Sequence, residues 1–185
     1  MIKSTVDVGV VIERRPADSE WIDHTWHAVA VLPGAPAVEH WVELEREGER
    51  VRYHAATLPI EIFRGETEGY KYNLTLEEPS VYVVLDPDAE GENPVDVSLA
   101  TVCPYEAQDY LDGSEVLVER VPMPVSIAAW LAEFVEKHHV DEPFKKRKRT
   151  PHPDKAGADD SHGGPDGRPN ELIMPRARPR GGDNV

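Results

Sequence analysis

The sequence predicts an α+β domain that is predominantly antiparallel β, a sandwich or a partly closed barrel, with one C-terminal amphipathic helix. Two observations support this class. Short segments rich in Val, Ile, Tyr and Trp recur between turn residues such as Pro, Gly and Asp, which is typical of strands. One longer segment near residue 130 instead repeats its apolar residues every three or four positions, as an amphipathic helix does.

Nine segments have the alternating or continuously apolar pattern of a strand. They are residues 6–12, 21–32, 39–45, 50–56, 58–64, 66–76, 80–85, 95–102 and 116–121. Residues 47–49 lie between two of these segments and predict a hairpin turn. In the second segment, simple alternation places Ala28 and Ala30 on one face of the strand and Val29 and Val31 on the other.

Two segments are predicted as helices. Residues 104–110 begin with a proline, which is favoured in the first turn of a helix, and predict a short one. Residues 125–139 form the amphipathic helix, with Ile127, Leu131 and Phe134 at helical spacing and charged residues elsewhere on the wheel. This second helix therefore has an apolar face that must pack against the strands.

Acidic and basic residues are unevenly distributed along the chain. Residues 1–144 contain 10 Lys and Arg but 29 Asp and Glu, a formal charge of −19, whereas residues 145–185 contain 10 basic and 6 acidic residues, a charge of +4. The second stretch also holds 12 Pro and Gly, so it cannot bury enough surface to order itself. The sequence predicts an acidic β-rich globular domain over residues 1–144 and a basic, Pro/Gly-rich disordered tail over residues 145–185.

Composition and charge exclude several classes of protein. The single cysteine, Cys103, cannot form an intramolecular disulfide or a four-cysteine metal site, and it fits a reducing compartment. Residues 1–20 carry seven charged residues, so no secretory signal is expected, and no apolar run is long enough to span a membrane. A domain with a charge of −19 repels phosphate backbones and is a poor nucleic-acid binder. We expect a cytoplasmic protein whose partners are basic protein surfaces.

No catalytic, metal-binding or cofactor-binding residues are predicted. His24 and His27 are three residues apart, and in a strand that begins at His24 they would point to opposite faces. Cys103 ends an apolar strand in an acidic domain, which favours a buried thiol over a nucleophile. Carboxylates such as Glu106 and Asp109 are expected to be neighbours by chance in so acidic a domain. The glycines are dispersed singly, so nucleotide binding through a phosphate-binding loop is not expected. No cofactor is predicted, and no cofactor-binding residue is identified.

The four tryptophans are interpreted as core or core-rim residues, with a partner interface as the alternative. They are Trp21, Trp26, Trp41 and Trp130. Two segments of the tail are candidate protein-binding elements: a basic run, which could instead be a solubilising linker, and an apolar island, which could order against a partner. Their residues are Lys145, Lys146, Arg147, Lys148, Arg149, Leu172, Ile173 and Met174.

Four collinear segments carry a resemblance to a known family. They are Val8–Pro16 (VGVVIERRP), Trp26–Gly34 (WHAVAVLPG), Cys103–Tyr110 (CPYEAQDY) and Ala129–His139. Together they resemble an uncharacterised proteobacterial family, a domain of unknown function whose genes lie beside those of molybdenum-dependent formate dehydrogenases, their chaperones and a ferredoxin-like protein. The resemblance covers residues 5 to about 148 and brings no catalytic residues with it.

The resemblance implies an accessory role. Some family members are labelled molybdopterin-guanine dinucleotide biosynthesis proteins, but such a guanylyltransferase resembles a protein with a Gly-rich loop after its first strand, and Ile12–Pro16 contains no glycine. The expected function is a non-catalytic accessory or maturation factor, a protein-binding adaptor for a molybdenum and iron–sulfur oxidoreductase, and the expected partner is a formate dehydrogenase subunit or its chaperone. The alternative is a small cofactor- or nucleotide-binding protein, or an enzyme of molybdenum cofactor metabolism, with a pocket lined by groups such as Tyr105, Asp109 or His138.

Overall fold

A computed structural model describes residues 2–87, 92–113 and 115–140 of the chain. The predicted tail, with all of its candidate binding residues, lies outside the described residues. In the described part, seven strands form two open antiparallel sheets, and three α-helices accompany them. The elements in chain order are β1 (Lys3–Pro16), β2 (His24–Pro33), β3 (Val42–Glu47), β4 (Arg50–Phe63), α1 (Thr67–Thr75), β5 (Ser80–Asp86), β6 (Asp96–Thr101), α2 (Pro104–Gly113), β7 (Leu117–Pro122) and α3 (Val125–His138).

The larger sheet, which we call the main sheet, has the strand order β2-β1-β4-β3. The strands β1 and β4 are 14 residues long and pair along most of their length. Alternate residues of β1, namely Val8, Val10 and Ile12, are fully buried and belong to the hydrophobic core. The residues between them face the opposite side of the sheet, because successive side chains of a strand point to opposite faces.

The small sheet has the order β6-β5-β7, with β5 at its centre. The residues of β5 from Ser80 to Leu85 are all buried, which explains why this segment is continuously apolar after its first residue instead of alternating. The apolar face of α3 completes the core through Ile127, Leu131 and Phe134. None of the described helices is long and apolar enough to cross a membrane.

The predicted predominance of antiparallel strands is confirmed, as are the helices at residues 104–110 and 125–139. The two predicted strands at residues 50–56 and 58–64 are one continuous strand, β4. Pro59 is tolerated inside it because β3 pairs only as far as His54, so that the rest of β4 has no partner on that side.

The prediction of a strand at residues 66–76 is wrong, because this segment is the helix α1. Its buried residues Thr67, Tyr70 and Asn73 recur every third position, which is a helical period. Gly69 brings α1 close to α2, since an added Cβ would lie 3.1 Å from the ring of Tyr105. Tertiary packing here overrides a weak local alternation.

Candidate functional site

Three irregularities of strand pairing lie at the same level of the main sheet, around Val11. The register shifts by one residue where β1 meets β2, where β1 meets β4 and where β3 meets β4. Each shift leaves one extra residue opposite its partner strand, which is a β-bulge. The three extra residues are Val29 in β2, Ala55 in β4 and Leu44 in β3. Bulges bend a strand and re-aim its side chains, so three at one level reshape the sheet face.

On the side of the main sheet away from the core lies a shallow depression of about 480 Å³, and two of the three extra residues, Val29 and Leu44, line it. We call it the bulged face, and its lining residues are Val11, Val29, Ala30, Leu32, Leu44, Glu45 and Arg52. Val11 forms its buried floor, whereas Leu44 is 49% exposed and Leu32 is 37% exposed. The outer face of a sheet is ordinarily polar, so an apolar depression there is a candidate binding surface.

Charged residues hold the rim of the bulged face in place. Glu13 is buried, and its two carboxylate oxygens accept hydrogen bonds from Arg15 Nε at 2.6 Å and Arg52 Nε at 2.7 Å. Both bonds lower the pKa of Glu13 below its usual value, and the bond from Arg15 has the larger effect. Arg52 also contacts Glu45 at 3.1 Å. The guanidinium of Arg52 is therefore fixed beside the depression by two carboxylates.

The edges of the main sheet are protected against the addition of another strand. All six residues of β3 are exposed, but three of them are glutamates, and the bulge at Leu44 interrupts its pairing. On the opposite edge, the backbone N–H of Ala28 donates to Glu119 of β7, which also accepts from His27 Nδ1 at 2.7 Å. A partner would thus bind the face of this sheet through side chains in preference to its edges.

A second candidate site is an open groove of about 1000 Å³ formed by one side of α1 with the two residues Arg64 and Gly65 before it, the start of α2 and the end of α3. We call it the helix groove, and the lining residues that carry its chemistry are Arg64, Glu68, Lys71, Tyr72, Tyr105, His138 and His139. Two of the three residues expected in a ligand pocket, Tyr105 and His138, line this groove, and Asp109 does not.

Hydrogen bonds orient His139 in the helix groove. Thr67 Oγ1 donates its one proton to the carbonyl oxygen of Arg64 at 3.2 Å, so Nδ1 of His139 is the donor in the 3.1 Å contact with Thr67. The other ring nitrogen, Nε2, then accepts from Lys71 Nζ at 3.4 Å. These two contacts hold the orientation of the imidazole ring in the groove.

Buried polar side chains fasten α1, one wall of the groove, to the rest of the domain. Asn73 is fully buried; its amide nitrogen donates to the carbonyl oxygens of Ser80 and Val102, both at 2.8 Å, and its oxygen accepts from the Ser80 N–H at 3.0 Å. Tyr70 is also fully buried, and its hydroxyl donates to Glu66 at 2.6 Å and accepts from the Phe63 N–H at 3.0 Å. Sequence patterns alone did not reveal either residue.

The residues considered for metal binding and nucleophilic chemistry are not assembled into a site. The strand β2 begins at His24, and His27 is engaged by Glu119. Within the described residues, no three or more His, Cys, Asp or Glu side chains come together in a metal-binding arrangement. Cys103 is buried, as its position predicted, and burial raises the pKa of its thiol, which disfavours the reactive thiolate. Asp109 is exposed on α2.

Three of the tryptophans are core-rim residues, as predicted. Trp26 and Trp41 pack edge to face with ring centroids 5.5 Å apart, and both contact the core. Trp130 of α3 also packs against the core, and its Nε1–H donates to Ser4 Oγ at 3.0 Å. Trp21 is 91% exposed, so the core interpretation is wrong for this residue.

Comparison with known proteins places the chain in a family. Residues 7–148, which are 142 of the 185 residues, match the model of DUF3305, described as a protein of unknown function. No curated protein and no solved structure matches the chain. The match supports the resemblance to an uncharacterised domain family, and the chain belongs to the DUF3305 family of proteins of unknown function.

Proposed function

We propose that this protein is a non-catalytic, protein-binding adaptor that serves as an accessory or maturation factor for a molybdenum and iron–sulfur oxidoreductase such as formate dehydrogenase. The observation that carries the binding role is the bulged face. There, the bulges in β2 and β3 bring Val29 and Leu44 beside Val11 on the side of the main sheet away from the core.

The chemistry of the bulged face suits a protein partner. Leu32 and Leu44 remain partly exposed, so a partner's apolar side chain that enters the depression would remove both from water. The neighbouring strand β3 carries Glu43, Glu45 and Glu47, and the predicted domain has a charge of −19. The expected partner surface is therefore an apolar side chain surrounded by basic residues.

The identity of the partner is supported by the family resemblance. Genes of the family that this chain resembles lie beside those of formate dehydrogenases and their chaperones, which suggests a process in which the adaptor acts. The basic run Lys145–Arg149 and the apolar island Leu172–Met174 are proposed as additional contacts. A cytoplasmic location, which the oxidoreductase partner would require, is part of the same proposal.

The test is purification of the tagged full-length chain from its native host during growth on formate, with identification of the proteins that accompany it. Leu44→Glu places a charge in the bulged face, and Leu117→Glu is its matched control, because Leu117 is 48% exposed on β7 and lies outside the depression. We expect stoichiometric recovery of a dehydrogenase subunit or chaperone with the unsubstituted chain and with Leu117→Glu, and at least tenfold less with Leu44→Glu.

Two outcomes would contradict the proposal. Equal recovery with Leu44→Glu and Leu117→Glu would remove the bulged face from the interaction. A chain that is purified without any stoichiometric protein would contradict the adaptor role itself.

A chain that lacks residues 145–185 tests the tail in the same purification. We expect weaker recovery of the partner, most clearly at low salt, because exposed charges are then least screened.

A further inference from the structure

We propose that the helix groove binds a small ligand that carries both a planar aromatic ring and a phosphate group, as a mononucleotide does. The site is formed by α1, α2 and α3, and none of its lining residues belongs to the bulged face. The proposal therefore stands apart from the adaptor role, and either one can fail without the other.

The sign of the charge reverses in the helix groove. The predicted domain holds 29 Asp and Glu against 10 Lys and Arg, yet the groove is lined by two cationic side chains, Arg64 and Lys71, and by one carboxylate, that of Glu68. Two histidines, His138 and His139, also line it, and Lys71 Nζ lies 3.4 Å from His139 Nε2. A basic concave site in an acidic domain attracts a small anion more strongly than the surrounding surface does.

Arg64 is the central residue of the proposed site. Among the ten Lys and Arg side chains of the described residues, those that form ion pairs with a carboxylate include Lys3, Arg15, Arg46, Arg52 and Lys137. Arg64 is exposed in the groove and forms no ion pair with any described residue. A guanidinium group presents a planar fork of donors that matches phosphate oxygens, and such charge-assisted hydrogen bonds are among the strongest in proteins.

Two tyrosines supply an aromatic surface beside these basic groups. The rings of Tyr72 and Tyr105 are nearly parallel, with an angle of 13° and centroids 6.4 Å apart, and the residues are 52% and 53% exposed. Gly69 favours this arrangement, because an added Cβ would lie 3.1 Å from the ring of Tyr105, which is tighter than ordinary van der Waals contact. Exposed aromatic faces stack on planar heterocycles, and each stacked base contributes about 1 to 3 kcal/mol.

The size and surroundings of the groove favour a small ligand over a polymer. A volume of about 1000 Å³ is at the upper end of the range usual for small-molecule sites. A nucleic-acid strand would extend beyond the groove onto an acidic surface, where its phosphates would be repelled. The ligand class that fits both the basic wall and the tyrosines is thus a single nucleotide or a compound of the same design.

The test uses adenosine monophosphate, adenosine and inorganic phosphate as separate probes of the full-length chain. Binding is measured at pH 7 by isothermal titration calorimetry and by amide chemical shifts in a phosphate-free buffer. We expect adenosine monophosphate to bind at least tenfold more tightly than either of the other two probes, with the largest shifts at Arg64, Tyr72 and Tyr105.

Substitutions separate the two halves of the proposed site. Arg64→Gln should weaken adenosine monophosphate binding by about tenfold, because one charge-assisted hydrogen bond is lost. Arg50→Gln is the matched control, since Arg50 is an exposed arginine of β4 outside the groove, and it should bind as the unsubstituted chain does. Tyr105→Leu should weaken the binding of adenosine monophosphate while leaving that of phosphate unchanged.

Three results would overturn the proposal. The first is no detectable binding of adenosine monophosphate at millimolar concentration. The second is an equal loss with Arg64→Gln and Arg50→Gln, which would mean nonspecific attraction to basic side chains. The third is equal affinity for phosphate and adenosine monophosphate, which would remove the tyrosines from the site.

Discussion

The two candidate sites lie on different layers of the domain and are built in different ways. The bulged face belongs to the main sheet, and backbone register creates it, because three extra residues reshape a surface that is otherwise regular. The helix groove lies between α1, α2 and α3, and its character comes from the side chains that line it, which are basic groups and two tyrosines. A surface of the first kind is defined by shape, whereas a site of the second kind is defined by which functional groups it holds.

The groups that support the two sites also differ in their response to pH. Beside the bulged face, Glu13 has a lowered pKa because Arg15 and Arg52 donate hydrogen bonds to it. Beneath the helix groove, Tyr70 has a raised pKa, first because it is buried and then because its hydroxyl donates to Glu66. The main sheet should therefore be weakened by acid and the helix side by alkali. Three substitutions test how the two layers are held together, and two of them, at Glu13 and Tyr70, test the response to pH.

Asn73→Ala should have the largest effect, because it removes three hydrogen bonds that join α1 to the small sheet and to Val102. At about 1 kcal/mol for each bond, we expect a loss of about 3 kcal/mol in the free energy of unfolding. Urea denaturation measures it, and Gln108→Ala on the exposed surface of α2 is the control. A loss below about 0.5 kcal/mol would mean that the hydrogen bonds of Asn73 add little to what holds α1, and with it the groove wall, in place.

Glu13→Gln should have the next largest effect. Both arginines are partly exposed, so solvent screens the pairs, and we expect a loss of about 1.5 kcal/mol at pH 7. The pKa of Glu13 is lowered in the folded state, so its contribution is present above its ordinary value of 4.5 and disappears as the pH falls through the lower folded value. The free energy of unfolding, measured between pH 3 and pH 7, should thus decrease less in acid for the variant than for the unsubstituted chain.

Glu43→Gln is the control for this experiment, because Glu43 pairs with Arg46 on the exposed surface of β3. Exposed pairs contribute little, so we expect a much smaller change in stability than with Glu13→Gln. If Glu13→Gln and Glu43→Gln changed stability and its pH dependence equally, the burial of Glu13 would not strengthen its ion pairs. The cluster of Glu13, Arg15 and Arg52 would then not make the main sheet sensitive to acid.

The sequence predicts the class of the fold better than it predicts either site. Periodic apolar residues are sufficient to identify the long strands and α3, since burial of one face is what organises them. Local alternation fails in β2, where Val31 faces the core and Ala30 the opposite side. The cause is the bulge at Val29, which depends on pairing with β1 and leaves no mark in the residues of β2 themselves.

The helix groove is partly predictable from the residues. Tyr105 and His138 were expected to line a pocket if the protein bound a small ligand. Arg64 and Lys71 were not expected there, since each lay in a segment that was predicted as a strand, residues 58–64 and 66–76. The position of Lys71 in the groove became apparent only once residues 67–75 were seen to form α1, and that of Arg64 once β4 was seen to end at Phe63.

Tyr70→Phe should have the smallest effect and the opposite pH dependence. It removes the hydroxyl that bridges Glu66 and the Phe63 N–H while the ring stays in place, so we expect a loss of about 1 kcal/mol at pH 7. Tyr72→Phe is the control, because Tyr72 is 52% exposed, and it should change stability by less than about 0.5 kcal/mol.

The sign of the alkaline effect follows from the raised pKa of Tyr70. Its contribution is fully present below the ordinary value of 10.0 and is lost as the pH rises above it, because the unfolded chain can then ionise the phenol and the folded chain cannot. Stability measured from pH 7 to pH 11 should fall less steeply for Tyr70→Phe, although Tyr82, whose pKa burial also raises, keeps part of the slope. If the slope of stability against pH were the same for Tyr70→Phe and the unsubstituted chain, Tyr70 would not make the helix side sensitive to alkali. The two layers would then differ in the shape and charge of their sites and not in their response to pH.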